Sequence, residues 1–143
     1  MFHPTPWHFW PVVTVAFVWH LIGVIDYTAT QLSFDFWMAM VTDRQETFIE
    51  TMPDWIDGAW AFGVWFGLLG VLLMAFRVAF APLILGLSFI SILVLVIWLL
   101  FFATPSLVSV SGPVGISVIV LSALISLLIW LYARAMHKER VIN

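Results

Sequence analysis

Polar side chains that could bind a ligand lie on one face of a strongly apolar stretch near the start of the chain. Tyr27 and Gln31 follow His20 by seven and eleven positions, and at about 100° per residue all three lie within roughly 20° of one direction on a helix. Gly23 leaves a gap in this polar stripe, and Asp26 points to a different face. These five residues are the candidate ligand-binding residues, suited to a polar head group or a proton.

His20 is the central residue of this stripe. It lies near the middle of a segment long enough to cross a bilayer, where an ionisable side chain is costly and is by default a functional hypothesis. The alternative is structural: a neutral imidazole would donate one hydrogen bond across the helix bundle, to Ser122 or Ser126. The residue types leave both interpretations open.

The sequence gives little support for a metal or cofactor. It has no cysteine, which excludes disulfides and thiolate ligands. The other apolar segments contain no second histidine at the depth of His20, as bis-histidine haem ligation within one chain would need. Ala16, four positions before His20, gives a spacing similar to that of bacterial antenna polypeptides that ligate bacteriochlorophyll. We therefore predict no cofactor and no metal, and keep a pigment- or haem-bearing subunit as the last alternative.

The composition determines which elements must position these side chains. Of the 143 residues 64% are hydrophobic and 9% charged, whereas about a quarter of a soluble protein is charged. Four segments, 11–30, 55–76, 82–103 and 114–136, reach the roughly 20 residues that a bilayer-spanning helix needs. The sequence predicts one all-α domain, a polytopic membrane protein with a four-transmembrane-helix bundle, and its net charge of −3 gives no reason to expect nucleic acid.

The external connector, residues 31–54, alternates between apolar and acidic character. Phe48, Ile49 and Met52 share one helical face, and acidic residues occupy another. Asp43 followed by Glu46 is the predicted capping pair. This pattern predicts one or two short interfacial helices between the first two spans.

Small residues at every fourth position mark the predicted packing face of the second span. They are Ala59, Gly63 and Gly67, with Gly70 beyond them. Such a groove lets another helix approach closely in lipid. The sequence does not say whether that helix belongs to the same chain or to a second protomer.

The charges predict an orientation in the membrane. Arg77 and a basic tail containing Arg134, Lys138 and Arg140 lie at one side, and the acidic connector lies at the other. By the positive-inside rule both termini are cytoplasmic. We therefore predict a multi-pass membrane protein with this orientation.

Three sequence stretches together carry a resemblance to a known family. They are VWHLIGVIDYTATQ (18–31), MPDW (52–55) and AWAFGVWFGLLG (59–70). In these the chain resembles a family of small, uncharacterised bacterial four-helix integral membrane proteins that bears an automatic sugar-transporter-like label. The similarity covers about residues 15 to 95 and implies a location in the bacterial cytoplasmic (inner) membrane. Members tend to have Asn where this chain has His20.

Three functions follow from these patterns. The first is a non-catalytic accessory or scaffold subunit, in a homo-oligomer or a larger membrane-protein complex. The second is a small-molecule or amphiphile carrier or binding protein that uses the polar stripe, and the third is the pigment- or haem-bearing subunit. No Ser/His/Asp arrangement or phosphate-binding glycine loop is evident, so we do not expect an enzyme. The lipid bilayer is the partner common to all three.

Overall fold

Six helices and no strand make up the part of the chain that the computed structural model describes, residues 4–143. The helices are α1 (Phe9–Gln31), α2 (Asp35–Met38), α3 (Asp43–Glu50), α4 (Asp54–Ala75), α5 (Ala81–Phe101) and α6 (Leu107–Lys138). Within these residues, α1, α4, α5 and α6 are long and apolar enough to cross a membrane. The predicted all-α fold with four membrane-spanning helices is confirmed, and α2 and α3 are the short helices between the first two spans.

The fourth long helix differs most from the prediction. The other three begin and end within two residues of the predicted bounds, but α6 begins at Leu107 instead of residue 114. Gly112 interrupts α6 with a φ of 64° and a ψ of −167°, and Pro113 follows it. Proline suits the first turn of a helix because its missing N–H would have no partner there. The residues just before the predicted span therefore form a short helical segment that ends at this break.

The long helices pack in the order α1, α4, α5, α6. Each packs against the next, whereas α1 and α6, within residues 4–143, share an apolar cluster near Phe9 and Ala133 but have no extensive backbone contact. We call the end of the bundle near residues 4–8 and 139–143 the terminal end, and the end covered by α2 and α3 the connector end. The row of helices thus leaves a gap between its first and last members.

Two apolar clusters close the two ends of the bundle. The terminal-end cluster contains Phe9 of α1, Met74 of α4 and Ala133 of α6, together with Ile142 beyond α6. The connector-end cluster contains Phe48 of α3, Ile56 of α4, Leu99 of α5 and Leu107 of α6. Because burial of apolar surface is the main stabilising term inside a folded chain, these clusters fix the ends of α6 relative to the other helices.

Three of the four glycines of α4 contact other helices of the same chain. A Cβ at any of these three would overlap a neighbouring side chain: Ile92 at Gly63, His20 at Gly67 and Leu85 at Gly70. The Ser88 hydroxyl of α5 also donates a hydrogen bond to the backbone oxygen of Gly63, at 2.6 Å. Ala59, one turn earlier, is half-buried. The glycine groove is therefore occupied by α1 and α5.

The connector helix α3 begins one residue earlier than its predicted capping pair implied. Thr42 is the N-cap, and its side chain accepts a hydrogen bond from the backbone N–H of Gln45, whose own side chain returns to Thr42. Asp43 and Glu46 lie in the first turn instead. The prediction of an Asp43–Glu46 pair was wrong because threonine with Gln three positions on forms the same reciprocal box.

Polar contacts join α3 to the first segment of α6. Arg44 Nη1 donates to the backbone oxygen of Ser109 at 2.9 Å, and Gln45 Nε2 donates to Ser111 Oγ at 3.3 Å. Since Gly112 follows directly, α3 and the segment before the break form one cover over the connector end.

Candidate functional site

A cavity of about 610 Å³ occupies the gap between α1 and α6. Helices α4 and α5 form its back wall, and α2, α3 and the first segment of α6 cover it at the connector end. Its volume lies within the range of about 300–1,000 Å³ that is typical of small-molecule sites. The cavity is therefore large enough for an organic ligand.

The cavity opens sideways through the gap between α1 and α6. Ile22 of α1 and Val118 of α6 both line it, and they are also 54% and 55% exposed at the outer surface of the bundle. Both lie within membrane-spanning helices. Since the outer surface of such helices faces lipid, the opening connects the cavity with the hydrocarbon part of the bilayer.

The polar groups of the cavity lie mainly near the connector end. Asp26 and Thr30 come from α1, Gln45 from α3 and Ser111 from α6. Trp37 Nε1 of α2 donates a hydrogen bond to Asp26 Oδ1 at 3.1 Å. The cavity is thus polar at one end.

Apolar side chains form most of the remaining wall. Ile92, Leu95 and Val96 of α5 and Val64 of α4 line the back of the cavity. Ser122 lies on the α6 side, and its hydroxyl donates to the backbone oxygen of Ile119 within its own helix at 2.7 Å. A ligand that fills the cavity must therefore place apolar atoms against this wall.

His20 lies at the edge of the cavity and is 5% exposed. Its ring packs over Gly67, and its Nε2 has no hydrogen-bond partner in the described part of the chain. The hydrogen bond to Ser122 or Ser126 expected from the sequence is not formed, although both serines also line the cavity. A buried nitrogen without a partner loses its hydration without replacement, so His20 is a polar group that the fold leaves unsatisfied.

Tyr27 and Gln31 do not line the cavity. Both donate to Asp57 in the first turn of α4: the Tyr27 hydroxyl to Oδ2 at 3.3 Å and Gln31 Nε2 to Oδ1 at 2.6 Å. His20, Tyr27 and Gln31 therefore share one face of α1, as their spacing predicts, but that face is turned toward α4. The structure therefore corrects the prediction that Tyr27 and Gln31 line a ligand pocket together with His20.

The cavity lies beside the face of α1 that carries Asp26. Gly23, Asp26 and Thr30 line it together with Trp19, and Gly23 lies close to Val64 of α4. Of the five candidate ligand-binding residues, the structure thus brings His20, Gly23 and Asp26 to one cavity and leaves Tyr27 and Gln31 outside it.

Sequence reasoning missed three residues that shape the site. Trp19, Trp37 and Trp60 line the cavity from α1, the connector and α4. Trp60 also packs edge-to-face against Tyr27, with ring centroids 5.0 Å apart. Because Trp19 and Asp26 are seven residues apart on α1, helical spacing could have placed them on one face. Trp37 and Trp60 belong to other helices, and only the tertiary fold brings them to the cavity.

No group of three or more His, Asp or Glu side chains in residues 4–143 is arranged to hold a metal ion. His20 and Asp26 are six residues apart on α1, which is about 9 Å along a helix axis. They belong to different depths of the cavity.

No protein-family model, curated protein or solved structure matches this chain.

Proposed function

We propose that this membrane protein binds one amphipathic small molecule in the cavity between α1 and α6. The molecule enters sideways from the bilayer, places its apolar part against α5 and its polar group near Asp26. This is the carrier or binding-protein function that the sequence offered as an alternative, with the site moved to the neighbouring face of α1.

The observation that carries the proposal is the sideways opening of a cavity with one polar end. Ile22 and Val118 flank the opening at the lipid-facing surface, while Asp26 and Thr30 lie at the covered connector end. An amphipathic molecule dissolved in the bilayer presents the same two surfaces, apolar and polar. Ligand sites of this kind are mostly apolar with a few placed polar groups.

The accessory-subunit function supposed that the chain packs against a partner through the glycine groove of α4. That groove holds His20, Ile92 and Leu85 of the same chain, so it is not open to a second protomer. The accessory function loses that docking surface, but the small size of the chain and its exposed tryptophans and phenylalanines still favour it. A homo-oligomer or larger complex remains a prediction that the cavity does not require.

We further propose that the protein lies in a bacterial cytoplasmic membrane with its terminal end inside. The bacterial assignment follows the family resemblance, and the orientation follows Arg77 and the basic residues of the tail. The chain has no cysteine, so Glu46→Cys in α3 and Lys138→Cys at the end of α6 provide unique labels. In intact cells a membrane-impermeant maleimide should label Glu46→Cys alone, and the reverse pattern would overturn the orientation.

Binding is best tested with three single-chain probes that share a decyl tail. They are neutral 1-O-decylglycerol, cationic decyltrimethylammonium and anionic decanesulfonate, each added to the protein in lipid nanodiscs. A ligand that binds only the folded state raises the free energy of unfolding, by about 2.7 kcal/mol at a hundredfold excess over Kd. We expect saturable thermal stabilisation by at least one probe.

Two valines of α6 provide the matched variants. Val118 lines the cavity, whereas Val120 is exposed on α6 and does not line it. Val118→Trp should fill the opening and abolish the stabilisation, and Val120→Trp should leave it unchanged. Absence of saturable stabilisation with all three probes, or an equal response in both variants, would rule out the proposed site.

A further inference from the structure

We infer that the ligand of this cavity is an amphipathic cation, a positively charged amine or quaternary ammonium carried on a single apolar tail. This inference rests on the proposed function and adds the chemistry of the polar group. It is carried by one carboxylate, by the tryptophans of the same cavity and by the absence of Lys and Arg from the described cavity wall.

Asp26 supplies the charge that would recognise such a head group. It is the only Asp or Glu among the cavity-lining residues of the described chain, and none of those residues is Lys or Arg. Its Oδ1 accepts the hydrogen bond from Trp37, an interaction that orients the carboxylate but brings no positive charge to it. Between opposite charges the attraction grows as water is excluded, so a cation held near Asp26 is favoured over a neutral group.

The basic side chain of the nearby cover is directed elsewhere. Arg44 of α3 donates to the backbone oxygen of Ser109 and does not line the cavity. An anionic head group would therefore meet Asp26 without a cation to compensate it. Like charges brought together in this way are a common device for rejecting a wrong ligand.

Tryptophan faces give the second reason for a cationic head. Trp37 is fixed beside Asp26 by its N–H, and Trp19 and Trp60 also line the cavity. The ring face of Trp attracts cations within about 6 Å, and quaternary ammonium groups are bound in this way between aromatic rings. A cavity that holds one carboxylate and three tryptophans thus suits an ammonium ion.

The apolar wall sets the other half of the ligand. Leu95, Val96 and Ile92 continue from the polar end along α5, and the opening between Ile22 and Val118 leads into the bilayer. A cavity of about 610 Å³ matches drug-sized ligands. We therefore assign the site to a single-tailed cation and not to a two-tailed phospholipid.

The same decyl probes test this inference separately from the proposed function. For the wild-type protein in nanodiscs of zwitterionic lipid we expect decyltrimethylammonium to bind about tenfold or more tightly than 1-O-decylglycerol, and decanesulfonate to bind most weakly. Asp26→Asn should remove the preference for the cation, so that decyltrimethylammonium binds no more tightly than 1-O-decylglycerol. Asp26→Glu keeps the charge and should keep the order.

The outcomes can be told apart. If 1-O-decylglycerol binds in a Val118-dependent manner but the cation is not preferred, the amphiphile site stands and the cationic specificity is overturned. If decanesulfonate binds most tightly, the inference is overturned in favour of an anionic ligand. A zwitterionic phospholipid retained through purification and displaced from the cavity only by other two-tailed lipids would also overturn it. Wild-type-like thermal unfolding of Asp26→Asn without ligand shows that the variant is folded.

Discussion

The imidazole ring of His20 rests on the backbone of Gly67, in a space that a methyl group on Gly67 would already fill. This contact brings α1 against α4 at the depth where the cavity begins. Tyr27 and Gln31 continue the same face of α1 to Asp57. The polar stripe of α1 is thus a helix-packing surface, and it leaves the neighbouring face, with Asp26, turned toward the cavity.

Gly67→Ala should destabilise the protein. The added methyl group overlaps the His20 ring, and overpacking of this kind costs about 1–3 kcal/mol. The measurement is the free energy of unfolding in detergent micelles or bicelles. Gly58→Ala is the matched control because nothing lies within 4 Å of a Cβ at that position. There alanine should stabilise α4 by roughly 0.5–1 kcal/mol through its higher helix propensity.

A double variant tests whether the His20 ring causes the loss of stability expected for Gly67→Ala. His20→Ala removes the ring that the new methyl group meets, so Gly67→Ala should cost much less in a His20→Ala background. The coupling free energy between contacting residues is typically about 0.5–3 kcal/mol. Strictly additive effects would show that Gly67 is required for a reason other than the His20 ring.

His20→Met should not destabilise the ligand-free protein. Nε2 of His20 is buried without a partner, and removing an unsatisfied polar group recovers part of a penalty of about 1–3 kcal/mol. Ser88→Ala is the comparison, because its hydroxyl bonds to the Gly63 backbone oxygen. Its loss should cost about 0.6 kcal/mol, the average for such bonds in membrane proteins. A cost for His20→Met as large as that for Ser88→Ala would mean that His20 has a partner.

Asp57→Ala should weaken the contact between α1 and α4 at the connector end. Asp57 accepts hydrogen bonds from Tyr27 and Gln31, and together these contribute on the order of 1 kcal/mol. Asp54→Ala controls for the helix dipole, since Asp54 occupies the same first turn. Thermal unfolding should shift more for Asp57→Ala than for Asp54→Ala, and Tyr27→Phe should have little further effect once Asp57 is gone.

Thr42→Ala should loosen α3 without unfolding the bundle. The substitution removes the capping box with Gln45, which contributes about 1 kcal/mol to a helix. Backbone amides of the first turn of α3 should then exchange faster with deuterium. Thr47→Ala serves as the control because the Thr47 hydroxyl bonds to the Asp43 carbonyl inside the helix and is no cap. Equal exchange in both variants would contradict the assignment of Thr42 as the N-cap.

The sequence alone predicted the four membrane-spanning helices and the residues that share a face of α1. Runs of about twenty apolar residues give the long helices directly, because a bilayer requires that length. Helical periodicity placed His20, Tyr27 and Gln31 on one face. The bonds of Tyr27 and Gln31 to Asp57 and the contact of His20 with Gly67 show that all three face α4. The spacing of Gly63, Gly67 and Gly70 marked a helix-packing surface of α4, and all three contact side chains of α1 or α5.

The cavity could not be predicted from the sequence. Periodicity says which residues share a face of a helix, but not which neighbour that face meets. The gap between α1 and α6 arises from the order in which the four helices pack and from the break at Gly112. For that reason helical spacing assigned Asp26 and His20 to different faces of α1, whereas in the fold both residues line the same cavity.

The terminal-end cluster joins residues from opposite ends of the described chain. Phe9 and Ile142 are both fully buried in it, and the backbone N–H of Asn143 donates to the Arg77 carbonyl at 3.0 Å. During synthesis Phe9 leaves the ribosome long before Ile142, which follows α6 in the chain. The terminal end therefore cannot close until the residues after α6 have been made. The first helices must wait in the bilayer with this apolar surface uncovered, within reach of insertion factors, until α6 has been inserted.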